Sequence, residues 1–274
     1  MIGQQKLLTR IDKLIEGKRF PHFSIFIGAA GSGRKTIAKY AADAIQYGKW
    51  DTETFESYGC GIDDIRQLIH ECNSKAPNIC MKFLIPDADG MSVQAKNALL
   101  KIAEEPPKNV YIMMTLEDIN NTLDTIKSRA ATFALDPYTV PQLQEYAKSK
   151  KYKELDIIKD ICETPGEVDL LCSYKVQDFY DFVVKTVDNI ATTNGANVFK
   201  LAQKLKLKDN EEGYDLKLFF RMFIKICSER YMDDPTYIAG VTVTSQYLKD
   251  LRIKGISKQG VVDLWILDIR KEWI

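Results

Sequence analysis

No excess of charge of either sign marks this chain: 38 lysines and arginines face 38 aspartates and glutamates in 274 residues. A chain without net charge has no long-range pull toward nucleic acid or an anionic membrane, so any such contact must come from a local patch. No apolar run approaches the roughly 18 residues of a membrane span. The opening stretch MIGQQKLLTRIDKLIEGKR reads as a polar amphipathic helix without the apolar centre of a secretory signal. These absences point to a cytoplasmic protein with no membrane contact. Histidine is scarce, with only His22 and His70, and the six cysteines (Cys60, Cys72, Cys80, Cys162, Cys172 and Cys227) form no C-x-x-C pair. Structural metal sites draw on such residues at short spacings, so no metal is expected and the thiols read as reduced, buried side chains. Repeats and low-complexity tracts are missing too.

What is present has two textures. In the first half, short apolar runs alternate with helical patterns. HFSIFIG (22–28), MKFLIPD (81–87), VYIMMTL (110–116) and ATFAL (131–135) read as buried parallel strands. Between them, RKTIAKYAADAIQ, DDIRQLIHECNSK (63–75) and SVQAKNALLKIAEE (92–105) have helical spacing. The second of these sets Ile65, Leu68, Ile69 and Cys72 on one face, and the third is capped by Ser92 and stopped by Pro106-Pro107. Alternation of this kind predicts an α/β fold: a parallel sheet wrapped on both faces. After Pro137 the pattern is helical, with a Pro165-Gly166 break, and from about Val176 onward only helices are expected. The predicted domains are 1–136 (α/β), 137–173 (a small helical lid) and 174–274 (an all-helical domain).

One stretch carries chemistry. Gly28-Ala-Ala-Gly-Ser-Gly-Arg-Lys-Thr36 follows a strand and opens a helix, the context in which glycines let backbone N–H groups cradle phosphates. A glycine-rich turn without a ligand is the plainer alternative. The register is off by one from G-x-x-x-x-G-K-[S/T]. With Gly28, Gly31, Ser32 and Gly33 in place, Arg34 fills the lysine position, Lys35 the hydroxyl position, and Thr36 falls one residue late. A shift of one residue turns a side chain about 100° around a helix. Arg34 can still pair with phosphate, but its flat fork does not replace a compact ammonium, and Lys35 would repel a divalent cation.

An ATPase also needs an apolar strand ending in adjacent acids, one for Mg²⁺ and one for water. The strand here ends Pro86-Asp87-Ala88-Asp89, so no two acids adjoin in either register. Both halves of the motif are degenerate. The loop could still hold a phosphate of ATP or ADP, but it is badly equipped for metal; no cofactor is required, and hydrolysis is not expected.

IGQQ near the start, RFPHFSIFIGAAGSG, IDDIRQLI, DADGMSVQAKNALLKIAEEPPKNVYIMMT and TIKSRA together resemble the bacterial DNA polymerase III clamp loader, within the AAA+ superfamily. The matches run in order from about residue 2 to 135; NALLKIAEEPP followed by TIKSR is the most specific. Among the loader subunits the chain is most similar to delta-prime, whose nucleotide motifs are degenerate. The resemblance implies a P-loop α/β domain, a helical lid and a helical collar that joins the subunits. It implies that Ser128-Arg129 supplies an arginine finger to ATP on a neighbouring subunit, a task suited to a side chain that stays charged and forks onto phosphate. It places Arg66 where a cation could meet DNA inside the loader, with a solvated surface arginine as the equal alternative. The collar would contain Phe219, Phe220, Phe223, Trp265 and Trp273, most of which ordinary core packing would explain.

Departures from the family pattern are plain. Ala130 stands in the place of the motif's cysteine, Asp169 of Gly166-Glu167-Val168-Asp169 in the place of a sensor arginine, and the connection through KWDTETF is too short for the four-cysteine zinc module. That last loss fits a divergent or phage-type loader. The implied partners are ATPase (gamma/tau-like) and delta-like loader subunits, the sliding clamp, and primer-template DNA through the assembled complex. Two other readings stay open: an active gamma/tau-like ATPase with an atypical P-loop, and a lone DNA-binding module, which the zero net charge disfavours.

Overall fold

A computed structural model describes residues 2–46, 52–74, 79–153, 155–192, 205–206, 212–251 and 255–273. The chain forms two compact units, Met1–Gln142 and Leu143–Ile274. The first begins with helix α1 (Gln5–Glu16) and continues β1 (Phe23–Ile27), α2 (Arg34–Ala44), β2 (Thr52–Ser57), α3 (Ile62–Ser74), β3 (Ile79–Ile85), α4 (Val93–Glu104), β4 (Val110–Leu116), α5 (Asp124–Lys127) and β5 (Ala131–Ala134). All five strands are parallel and lie in the order β2-β3-β4-β1-β5. The expected α/β sheet is therefore present, with one strand more than the sequence reading counted. Residues 52–57, read there as a bare connection, pair with β3 over six positions. Residues 47–51, the remainder of that connection, lie outside the described residues.

The sheet is covered by helices on both faces. Ile112 and Met114 pack with Ile65, Leu68 and Leu99 from α3 and α4 on one face; Tyr111 and Met113 pack with Ile11, Ile37 and Ala41 from α1 and α2 on the other. Every residue of β4 is buried, as a strand between two helical layers requires. Ser92 caps α4 by accepting from Ala95 N–H at 3.2 Å, and the helix ends before Pro106.

The second unit is mostly helical. Pro165 and Gly166 do not merely break a helix: they open Pro165–Ser173, with the Thr164 hydroxyl as its cap. The all-helical expectation needs one correction, since Leu205–Lys206 pairs in parallel with Tyr214–Asp215. Two-residue strands carry no period that a sequence pattern can reveal. Trp265 is buried against Phe219, Phe220 and Phe223 at centroid distances of 5.6, 5.1 and 5.0 Å, and its Nε1 donates to Thr244 Oγ1 at 2.9 Å. Those aromatics are core. Surface is given instead by Leu264 and Leu267, 56% and 54% exposed on the helix Lys258–Trp273. Arg221 binds Glu163 at 2.6 Å and Glu167 at 2.7 Å, joining the helix Leu216–Tyr231 to the turn before Pro165 and to the first turn of the helix Pro165–Ser173. Among the described residues, no helix is long and apolar enough to cross a membrane.

Because Ile112 lies fully buried in the sheet's middle strand, Ile112→Ala should cost about 2–5 kcal/mol through lost burial and the cavity left behind. Urea unfolding followed by circular dichroism measures it; a cost under about 1 kcal/mol would contradict this packing.

Candidate functional site

Strand order decides which loops meet. β1 lies between β4 and β5, and β4 lies between β1 and β3, so the carboxyl ends of β1, β4 and β3 stand side by side. In a parallel sheet that edge, where the order reverses, is where ligands bind. It brings together the glycine-rich loop after β1, Pro86-Asp87-Ala88-Asp89 after β3, and Glu117 after β4.

The loop is closed by its own contacts. Gly28 N–H donates to Leu116 O, and Ser32 N–H donates to Ala29 O at 3.1 Å in a tight turn. Gly33 caps α2 in the left-handed region at φ 93°, which a side chain would strain. The Tyr138 hydroxyl donates to Ser32 O at 2.8 Å, while Ser32 Oγ is buried with no hydrogen bond among the described residues. Thr36 is exposed on the first turn of α2. Tyr138 is itself held by the start of the chain. The Gln4 side chain donates to Asp136 O and accepts from Asp136 N–H. At Gly3 any Cβ would fall 2.7 Å from the tyrosine ring. The IGQQ stretch thus braces the segment that closes the loop from one side.

Arg34 departs most from the sequence reading. There its guanidinium was matched to phosphate; here it is turned to the acids at the strand ends. Nη2 lies 3.3 Å from Asp87 Oδ1 and 3.7 Å from Glu117 Oε1, and Nη1 lies 3.9 Å from Asp89 Oδ2. The side chain is 6% exposed, and a charge so far from water needs opposite charges around it. Lys35 takes the other oxygen of Asp87 at 2.6 Å, though half in solvent. The off-register pair therefore serves one carboxylate from two sides.

Asp87 can face both because its backbone turns left-handed at φ 51°, with its N–H on Thr115 Oγ1. Aspartate is among the side chains that tolerate this region. Asp89 has a different job. Its carboxylate accepts from Glu117 N–H at 2.8 Å, Asp118 N–H at 3.3 Å and Asn121 Nδ2 at 2.8 Å, and so folds the turn after β4. At the rim, Cys60 Sγ lies 3.1 Å from Pro86 O; burial, then the Asp87, Asp64 and Asp89 charges, push its thiol pKa up against the pull of Lys35.

The remaining candidates have other partners. Ser128 ends α5, and Arg129 follows it, donating to Thr125 O at 2.8 Å and pairing with Glu104 Oε1 at 2.7 Å while staying a third exposed. Arg66 is exposed on α3 and pairs with Asp63 one turn back at 3.1 Å. Asp169, in the second unit, accepts from the hydroxyls of Tyr146 at 2.7 Å and Tyr152 at 3.2 Å. Sequence reasoning did not single out Glu117, Glu104 or Tyr138. The only signal for the first two was an acid flanking a strand or helix end, which is common on any surface.

Arg34→Met keeps much of the buried volume but removes the cation shared by three carboxylates, leaving Asp87 with Lys35 alone. Removing one partner of a buried pair costs several kcal/mol and of an exposed pair almost nothing. With partners of mixed exposure, the expected loss is about 1–3 kcal/mol. Urea unfolding should show it largest at low salt, and a variant as stable as the parent would mean the cluster is only incidental.

Residues 50–139 match the family described as DNA polymerase III, delta subunit. Over 217 residues the chain is 24% identical to replication factor C small subunit 1 of Pyrobaculum arsenaticum, covering 76% of this chain and 66% of that one. It is 30% identical over 176 residues to the replication factor C small subunit of Saccharolobus solfataricus, covering 59% and 53%. It is 26% identical over 179 residues to DNA polymerase III subunit gamma/tau of Mycoplasma genitalium, covering 56% and 30%. The chain thus spans between about a third and two thirds of the length of these curated relatives. A DNA polymerase III gamma subunit-related protein of Thermotoga maritima shares the fold at TM-score 0.50 and 16% identity, covering 98% and 99% of the two chains. The Thermotoga maritima RuvB branch migration motor does so at 0.51 and 17%, covering 84% and 78%. Over part of its length the chain is thus similar in sequence to DNA polymerase III and replication factor C subunits, and it shares its fold with the two Thermotoga maritima proteins.

Proposed function

We propose that this chain is a delta-prime-like subunit of a cytoplasmic clamp loader, one that does not hydrolyse ATP itself and offers Arg129 to ATP held by a neighbouring subunit. The observation that carries the first half is Arg34 among Asp87, Asp89 and Glu117. A P-loop ATPase needs Mg²⁺ held near the strand-end acids and a lysine on the β- and γ-phosphates. In this arrangement a guanidinium already neutralises the acids, Lys35 is paired with Asp87, and the Ser32 N–H is spent on Ala29 O. Residues so paired do not fit Mg²⁺-ATP.

Arg129 supports the second half. It follows the short helix α5, is partly exposed, and is steadied by Glu104 and Thr125 O. An ion pair this open to solvent contributes at most about 1 kcal/mol, so the side chain can leave Glu104 for a triphosphate. The proposed partners are gamma/tau-like and delta-like loader subunits, the clamp, and primer-template DNA within the assembly. The division into α/β domain (1–136), lid (137–173) and collar (174–274) belongs to the same proposal.

The isolated chain is expected to show no ATP turnover above background, with or without DNA. Arg129→Ala should leave folding and assembly intact yet lower the ATPase of the reconstituted loader. A finger contributes roughly 10³–10⁵ at its own site, diluted by sites whose finger comes from other subunits, and Arg129→Lys should rescue poorly. Turnover by the isolated chain that vanished with Arg34→Met would instead favour the active-ATPase reading. An Arg129→Ala complex that hydrolysed ATP and loaded clamps normally would make Arg129 an ordinary surface residue.

For subunit association through the collar, Leu264 and Leu267 are the side chains to change, since both are more than half exposed and one helical turn apart. Cutting the chain at 173 would confound the test by separating Arg221 from Glu163 and Glu167. Leu264→Glu with Leu267→Glu should keep the isolated chain's melting temperature and abolish co-elution with the other loader subunits. Normal co-elution would count against the collar assignment.

A further inference from the structure

The chain's charge balance is not even along its length. Between Gln5 and Arg19 there are five cations, Lys6, Arg10, Lys13, Lys18 and Arg19, and only two carboxylates, Asp12 and Glu16. Helical geometry sorts them. Lys6, Thr9, Arg10 and Lys13 recur at three- and four-residue steps and so share one face of α1, opposite buried Leu7 and Ile11. Asp12 lies off that face and accepts from the Tyr40 hydroxyl at 2.6 Å, while Glu16 flanks the stripe at the helix end. Lys6, Thr9, Arg10, Lys13 and Arg19, with Leu14 as the apolar floor, line an open groove of about 360 Å³. All five rim side chains are exposed, and none of the four cations forms an ion pair with a described carboxylate. Arg10 is steadied by its guanidinium stacking 4.9 Å over the Phe133 ring.

We propose that this groove is a second nucleic-acid contact, separate from Arg66 on α3, which binds the phosphate backbone of duplex DNA without reading its sequence. That the occupant is DNA rests on the clamp-loader reading above; that it is a polyanion rests on the stripe itself. From Lys6 to Lys13 the helix rises about 10 Å, the axial span of roughly three phosphates on one strand of a duplex. Phosphate contacts from lysine and arginine position a protein without carrying sequence information. No aromatic side chain lines the groove, so the stacking platform that favours single strands is lacking. A rigid helix carrying these cations, against an otherwise neutral chain, localises the attraction to this face.

The test uses the full chain and a fluorescently labelled duplex, with anisotropy read from about 50 to 200 mM salt. Wild type should bind with non-specific, salt-dependent affinity, and Lys6→Ala/Lys13→Ala/Arg19→Ala should weaken it at least about tenfold at the lowest salt. It should also flatten the log–log salt slope by about two to three, near 0.9 for each phosphate no longer neutralised. A matched variant of exposed lysines elsewhere, Lys148→Ala/Lys175→Ala/Lys185→Ala, has the same net charge and should bind like wild type. Equal weakening in both triple variants would reduce the effect to overall charge and overturn the proposal. So would preference for single-stranded DNA, or capture of polyglutamate by a wild-type chain that ignores duplex. Loss of duplex binding in the α1 variant alone upholds the groove whatever Arg129→Ala does to the loader's ATPase, so the two readings fail separately.

Discussion

A single buried guanidinium organises the edge of the sheet where a nucleotide would be expected. Arg34 can be 6% exposed only because three carboxylates from the ends of β3 and β4 surround it, and those carboxylates can crowd together only because the cation is there. Each half of the cluster makes the other tolerable. Much else is arranged around that mutual need: the left-handed turn at Asp87, the Asp89 carboxylate gathering three N–H groups after β4, and Lys35 on the outer oxygen of Asp87. A site made this way is stable without a metal, because its positive charge is covalently part of the chain.

The same strand ends join the glycine loop to the acids that follow β3 and β4. In a P-loop enzyme the lysine and the strand-end acids are coupled through the nucleotide and its Mg²⁺. Here arginine and acids are coupled directly. Arginine in the lysine position has the reach and the fork to contact several carboxylates, and with the acids so engaged nothing requires two of them to adjoin. Pro86 and Ala88 beside Asp87 are then compatible neighbours rather than isolated losses. Tyr138, braced by Gln4 and Gly3, adds a mechanical counterpart by holding Ser32 O.

Arg129 contrasts with Arg34 in every respect that matters physically. It is on the turn after α5, a third exposed, and paired with one solvated carboxylate. A buried, many-partnered guanidinium costs more to displace than an exposed, singly paired one. The basic face of α1 extends that contrast, because its cations have no carboxylate partner among the described residues and are held out by the amphipathic helix that presents them.

Where the sequence alone was sufficient, the reason was periodicity. β1, β3 and β4 showed as apolar runs because strands buried on both faces leave no polar alternation to misread, β5 showed as the short run ATFAL at the sheet edge, and α4 announced itself through Ser92 and Pro106-Pro107. β2 and the two-residue pairing at Leu205 and Tyr214 were not legible, since their strand character comes from an adjacent edge and not from their own pattern. The glycine loop between β1 and α2 was likewise written in the residues. What Arg34 does there was not, because Glu117 and Asp89 are far along the chain and only the order β3-β4-β1 brings them to it. The sequence determined which chemical groups were available and which expected ones were missing. Tertiary structure alone decided their partners, because charge pairing acts through space, while a sequence orders its residues only along the chain.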